Sequence, residues 1–314
     1  MWSEIFFANV FRRFVMYDRV QLYAQSLGSV ELEVALAAAV EAGKIVHDSW
    51  HKPPTEFRDK LGSHYELVSE VDETADVIVQ KIIKETFPND NILSEELNPV
   101  ASEFDVKKGR VWIIDPLDGT SAFLFKCDPF CPSVMIAMME DGITKVAVVY
   151  QAVQNFFSYA VLNKGAFLNG EKSTVLHDSK ISLKDAWVDM NHYGDRENES
   201  STFAQIESII RCAGGARLVT RMPPASNVAI RLLMEGSSKR RLGACIHDHI
   251  PAKPKQCPWD IIPIKLIIEE AGGLYIDSHK GMAEPLDPFD LQGPIIIGNN
   301  KIVAEILDRI NNKL

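Results

Sequence analysis

The stretch Val111-Trp112-Ile113-Ile114-Asp115-Pro116-Leu117-Asp118-Gly119-Thr120-Ser121 constrains this chain more than any other. Its first four residues are apolar and rich in β-formers, as in a buried strand. Pro116 has no N–H to give a ladder, so the strand is predicted to break there. Asp115 and Asp118 fall at that break. Two carboxylates gathered at one strand end repel each other unless a positive charge lies between them. A hard divalent cation such as Mg²⁺ meets that need, because it prefers oxygen ligands and keeps room for water and phosphate. Gly119-Thr120-Ser121 reads as a loop entering a helix, where close backbone approach and free N–H groups favour an anion. The same letters are also ordinary turn chemistry, and Thr120 is equally suited to capping the helix that follows.

Three further segments carry acids at element boundaries. Val68-Ser69-Glu70-Val71-Asp72 precedes a helix predicted over Thr74 to Phe87, with Asp72 suited to its N-cap. Ile92-Leu93-Ser94 reads as a short strand ending at Glu95-Glu96, about 20 residues before the central stretch. If that backbone stays extended, the two glutamates point to opposite sides. Pro258-Trp259-Asp260 opens a helix that closes at Glu269-Glu270-Ala271-Gly272-Gly273, and Asp260 in its first turn complements the helix dipole.

In this order the blocks resemble the inositol monophosphatase family, part of a superfamily of Mg²⁺-dependent, Li⁺-sensitive phosphatases. Asp115 to Thr120 resembles its Asp-Pro-(Leu/Ile)-Asp-Gly-(Thr/Ser) signature, and Val68 to Asp72 its Val-Thr-x-x-Asp segment. Glu95-Glu96 resembles its Gly-Glu-Glu, with Ser94 replacing the glycine. Gly165-Ala166-Phe167-Leu168-Asn169-Gly170 and the Trp259-Asp260 to Gly273 block complete the match, which covers most of the chain except 1–30 and 236–257. The resemblance implies an α/β fold, a layered αβαβα sandwich with an α+β N-terminal half and an α/β C-terminal half. It implies two or three Mg²⁺ ions held by Glu95, Asp115, Asp118, Asp260 and the Leu117 carbonyl. It gives Thr120 and Asp72 the orientation of an attacking water, with Glu95 counted in the catalytic set and Glu96 behind it. It places substrate at Asp118, Gly119, Thr120, Ser121 and Asp260. The implied activity is phosphomonoester hydrolysis by direct attack of water, with inositol monophosphate the first substrate and a homodimer the expected assembly. Fructose 1,6-bisphosphate, histidinol phosphate and 3′-phosphoadenosine 5′-phosphate are the alternatives, and a catalytically silent relative is the non-enzymatic one. Pro223-Pro224-Ala225-Ser226 departs from the family's Gly-(Thr/Ser)-Ala, which bears on substrate identity.

Elsewhere the pattern predicts a helix over 31–50, a loop or hairpin over 55–65 containing Lys60, and a strand pair turning at Asp141-Gly142. Strands are predicted at 156–162, 187–191, 216–220, 274–277 and 295–297. Helices are predicted at 203–212, 226–234 and 301–312. The expected division is a helical extension over 1–30, a metal-binding subdomain over 31–180 and a C-terminal subdomain over 181–314. Residues 1–30 carry apolar positions near helical spacing with Arg12, Arg13 and Arg19, read as a helix packed on the body or on a second subunit. The net charge of −10 argues against a nucleic-acid surface, and no apolar run approaches the ~18 residues of a membrane span. Five cysteines do not form a secreted disulfide framework, so a reducing cytoplasm is expected. Cys245, His247, His249 and Cys257 offer zinc donors, but their spacing fits no common zinc motif and the prolines among them read as an irregular insertion. Cys127 and Cys131 read as packing or loop residues. Lys239-Arg240-Arg241 reads as a basic turn or a contact to a second phosphate.

Overall fold

The computed structural model describes residues 18–312 except 19, 23, 53–56, 61–62, 98, 100–103, 127–131, 176–180, 193–200, 213, 222–227, 229, 235–241, 249–256 and 284–285. Helix α1 (Val30–Trp50) starts where Ser29 Oγ accepts the Leu32 N–H, and Glu31 and Glu33 complement its dipole. Its alanine-rich face is buried against α2 (Glu70–Thr86) and one face of a seven-stranded sheet. Val20 and Ala24, from the helical residues before α1, are fully buried in the same cluster. Residues 1–17 lie outside the described residues. Between α1 and α2 runs an antiparallel ribbon, β1 (Phe57–Lys60) and β2 (Ser63–Ser69).

The seven-stranded sheet runs in chain order: β3 (Asn91–Ser94), β4 (Arg110–Asp118), β5 (Ser133–Glu140), β6 (Ile143–Gln151), β7 (Phe156–Val161), β8 (Gly165–Leu168) and β9 (Glu171–Ser173). Only β3 and β4 pair in parallel. Asp141-Gly142 and Asn169-Gly170 close two-residue hairpins, all four residues at positive φ as those tight turns require. Glu270 accepts the N–H groups of Asn163 and Gly165 at 2.7 Å, pinning the β7–β8 turn to a distant helix.

After a 3₁₀ turn (Leu183–Asp185), β10 (Trp187–His192), α4 (Ser201–Arg211), β11 (Leu218–Arg221) and β12 (Leu242–Asp248) follow. Then come α5 (Pro258–Glu270), β13 (Leu274–Asp277), β14 (Ile295–Gly298) and α6 (Asn300–Asn311). The short α3 (Thr120–Leu124) lies earlier, just after β4. The second sheet is ordered β11-β10-β12-β14-β13, with β10 parallel to both neighbours. Helix α5 is apolar on nearly every side, burying Trp259, Ile261, Ile262, Ile264, Leu266, Ile267 and Ile268. Such a helix belongs inside a protein. It forms one core cluster with the inner faces of both sheets, while α4 and α6 cover the outer face of the second. The order of layers is therefore α1/α2, first sheet, α5, second sheet, α4/α6.

Three expectations are corrected. Strand β4 does not stop at Pro116: its pairing with β5 passes from Asp115↔Met135 to Asp118↔Ser133, one residue more on β4, a bulge. Proline is tolerated there because β3 ends opposite Ile114, leaving that side of β4 without a ladder to feed. Helix α2 begins at Glu70 rather than Thr74, because Ser69 is its N-cap and Asp72 its third residue. The segment read as an irregular insertion contains β12, a central strand of the second sheet, whose Gly, Ala and Cys residues gave little β-signal.

Candidate active site

The site forms where β3 and β4 end beneath the start of α5. On β4, Val111 and Ile113 face the middle layer while Trp112 and Ile114 face α1 and α2. Alternation therefore places Asp115 on the inner side. The bulge then shifts the phase by one, so Leu117 turns outward into the first core cluster, and Asp118 returns to the inner side opposite Ser133. Both aspartates are buried. Asp115 Oδ1 accepts the Leu117 N–H at 2.9 Å, bracing the chain across Pro116.

Glu95 and Glu96 occupy a turn after β3, not a continued strand, so their opposite orientation does not follow. Glu95 is tied down by its N–H, which donates to the Ile114 carbonyl at 3.1 Å. Asp260 lies in the first turn of α5 behind Pro258, as its sequence block requires. Ligand oxygens of Glu95, Asp115 and Asp260 all come within 4.8 Å of one another. Among the described residues this is the one such group of three or more acidic, His or Cys side chains. Asp118 is not drawn into that trio.

Thr120 is joined to Asp72 over 48 positions of sequence: its Oγ1–H donates to Asp72 Oδ1 at 2.7 Å. The Leu117 carbonyl lies 3.2 Å from the same Oγ1. Asp72 is fully buried, and its other oxygen accepts both the N–H and the hydroxyl of Ser69 in a capping box. The cap of α3 is Gly119, left-handed at φ 90°, with no side-chain cap bond. Thr120 is thus the first residue inside α3, and the capping alternative for it does not hold. Ser121 follows on an exposed position of the same helix.

One turn beyond Asp72, Asp76 is a site residue that sequence reasoning missed. It is fully buried and accepts hydrogen bonds from the Ser94 hydroxyl, the Leu97 N–H (3.1 Å) and Gln80 Nε2 (2.9 Å). Burial pushes its carboxyl above the usual range, the three donors pull it back, and the nearby Glu95 charge adds to the upward shift. The available signal was periodicity: Asp72 and Asp76 share the buried stripe of α2 with Ala75, Val79 and Ile83.

Cys245 and His247 are buried on one face of β12, and burial drives the Cys245 thiol well above its ordinary range, which suits packing rather than reactivity. Cys257 precedes α5. Pro223 to Ser226, Lys239-Arg240-Arg241, His249, Cys127 and Cys131 lie outside the described residues, as does the side chain of Lys60. No helix among the described residues is long and apolar enough to cross a membrane.

Three carboxylates drawn together from separate segments have the chemistry of a hard-cation site. Residues 29–313 match the model of the inositol monophosphatase family. The chain belongs to the inositol monophosphatase family. The Nus factor SuhB of Escherichia coli (strain K12) is 26% identical over 294 residues, covering 90% of this chain and 96% of that protein. Inositol monophosphatase 2 of Solanum lycopersicum is 27% identical over 284 residues, covering 90% and 97%. The crystal structure of extragenic suppressor protein suhB from Bartonella henselae superposes with a TM-score of 0.74 at 22% identity, covering 91% of this chain and all of that one.

Proposed function

We propose that this family member is a Mg²⁺-dependent phosphomonoesterase that hydrolyses a small phosphorylated metabolite, with inositol monophosphate the first candidate. The observation that carries the reading is the meeting of Glu95, Asp115 and Asp260 within 4.8 Å. Those three would hold the metal, joined by Asp118 and the Leu117 carbonyl from the bulged end of β4. Bound Mg²⁺ supplies charge neutralisation for the phosphoryl group and a more acidic water. Asp72, anchored by Ser69, fixes the direction of the Thr120 hydroxyl, leaving an oxygen lone pair to take a hydrogen bond from the attacking water. Glu95 belongs to the catalytic set through its place at the same junction. Asp118, Gly119, Thr120, Ser121 and Asp260 would border the substrate. Gly119 at positive φ lets the backbone turn sharply there, where a side chain would be strained. Phosphoryl transfer needs positioning and charge stabilisation more than covalent help, which this arrangement supplies. A homodimer in the cytoplasm is the expected setting.

A non-enzymatic reading has one observation in its favour, that a relative bears the name Nus factor. The retained acidic trio favours catalysis over it. The test is inorganic phosphate release from inositol monophosphate, fructose 1,6-bisphosphate, histidinol phosphate and 3′-phosphoadenosine 5′-phosphate, with Mg²⁺ and after stripping by EDTA. Metal-dependent release that Asp115→Asn lowers by at least a hundredfold supports the reading. No release from any substrate by metal-loaded protein identifies a silent relative.

A further inference from the structure

We propose that Asp76 is a positioning residue for the metal site, acting through Ser94 and Leu97 on the turn that carries Glu95. The inference rests on the reading that Glu95, Asp115 and Asp260 hold a cation. Ser94 is the last residue of β3 and Leu97 follows the two glutamates, so one carboxylate oxygen, Asp76 Oδ2, clamps the turn at both ends. The other oxygen is held by Gln80. Asp76 and Ser94 are both fully buried. A carboxylate is costly at a core-facing position of a helix, where Ala75, Val79 and Ile83 show that apolar residues serve for packing. Its hydrogen bonds are what that position has in return: two of the three come from this single turn and the third from a neighbouring residue of α2.

Residue 94 sharpens the point. A glycine there, as in the Gly-Glu-Glu pattern, would have no hydroxyl to give. In this chain the serine hydroxyl and the aspartate are matched, and the bond between them adds to the hold that the Glu95 and Leu97 N–H groups have on this turn. Asp72 and Asp76 are four residues apart and face the same way. Helix α2 thus braces both halves of the site, Thr120 after β4 through Asp72 and Glu95 after β3 through Asp76. Groups that orient metal ligands from behind affect affinity for the ion more than affinity for substrate.

The experiment is calorimetric titration of Mg²⁺ into the full-length, EDTA-stripped protein without substrate, comparing wild type with Asp76→Asn, Ser94→Ala, Ser94→Gly and Asp115→Asn. Asp76→Asn and both Ser94 variants are expected to weaken Mg²⁺ binding by about ten- to a hundredfold. The Mg²⁺ concentration for half-maximal activity should rise by the same factor, while KM for substrate at saturating Mg²⁺ stays within twofold. Ser94 variants carry the test if Asp76→Asn does not fold. Mg²⁺ affinity within twofold of wild type in the Ser94 variants, with Asp115→Asn impaired, overturns this proposal alone. Absence of Mg²⁺ binding by wild type overturns the reading of the site and this proposal with it.

Discussion

Replacing Thr120 with alanine removes the hydrogen bond that joins the start of α3 to Asp72 on α2. The hydroxyl donates to Asp72 Oδ1 at 2.7 Å, and Asp72 is fully buried. Its other oxygen is already committed to Ser69. The substitution therefore takes one donor away from a buried carboxylate, which costs about 1–3 kcal/mol. Since Thr120 itself is only partly buried, water can reach the gap, and the lower end of that range is expected. In a protein of this size that is a fall in Tm of a few degrees. If Thr120 also orients the attacking water, turnover falls by on the order of a hundredfold or more, the range of a lost general acid–base contribution. A hundredfold corresponds to about 2.7 kcal/mol on the barrier. The assay is kcat for phosphate release at saturating Mg²⁺, beside thermal unfolding and Mg²⁺ titration of the same variant. Thr120→Ser, which keeps the hydroxyl, should recover most of the rate. A Thr120→Ala protein with lowered Tm but near-normal kcat would refute the orienting role and leave Thr120 as a brace between α3 and α2.

Two further outcomes test the fold. Burial raises the Glu31 carboxyl, but its own backbone N–H, Arg110 and Ser29 outweigh that and hold it below its ordinary value. A group with a depressed folded pKa stabilises above its ordinary pKa and loses that contribution as pH falls through the folded value. Glu31→Gln should therefore cost about 0.5–1 kcal/mol near pH 7 in urea unfolding, and the gap from wild type should close as pH falls below about 4; a gap that does not narrow in acid would sink the argument. At Gly298, φ is +143° and an added Cβ would lie 2.3 Å from the Gly243 carbonyl oxygen. Gly298→Ala should cost at least about 3 kcal/mol by chemical denaturation, since neither the left-handed backbone nor the β12–β14 pairing has room to give; a loss under 1 kcal/mol would show that the strands separate freely.

Local pattern sufficed wherever the physics is local. The hairpin at Asp141-Gly142 was legible because positive φ at both turn residues narrows the choice of side chain. The α1 helix was legible from its apolar face, and Asp260 from a proline and an acid in a first turn. The acidic blocks were legible as points where an apolar run meets a carboxylate, and family resemblance supplied their order. Other features belong to partners distant in sequence. Strand β4 passes Pro116 because β3 stops at its side, which Pro116 and its neighbours cannot announce. Strand β12 is a strand because β10 and β14 flank it, and small residues fit a sheet covered on both faces. Helix α5 is apolar on nearly every side, but which two sheets it lies between was decided only by packing. So too with Asp76: its periodicity marked it as facing inward, and only the fold brought Ser94 and Leu97 to it. Sequence sets which groups need a partner, through propensity, burial and charge. Tertiary structure chooses the partner, because hydrogen bonds and ligand distances depend on segments that meet only after the layers close.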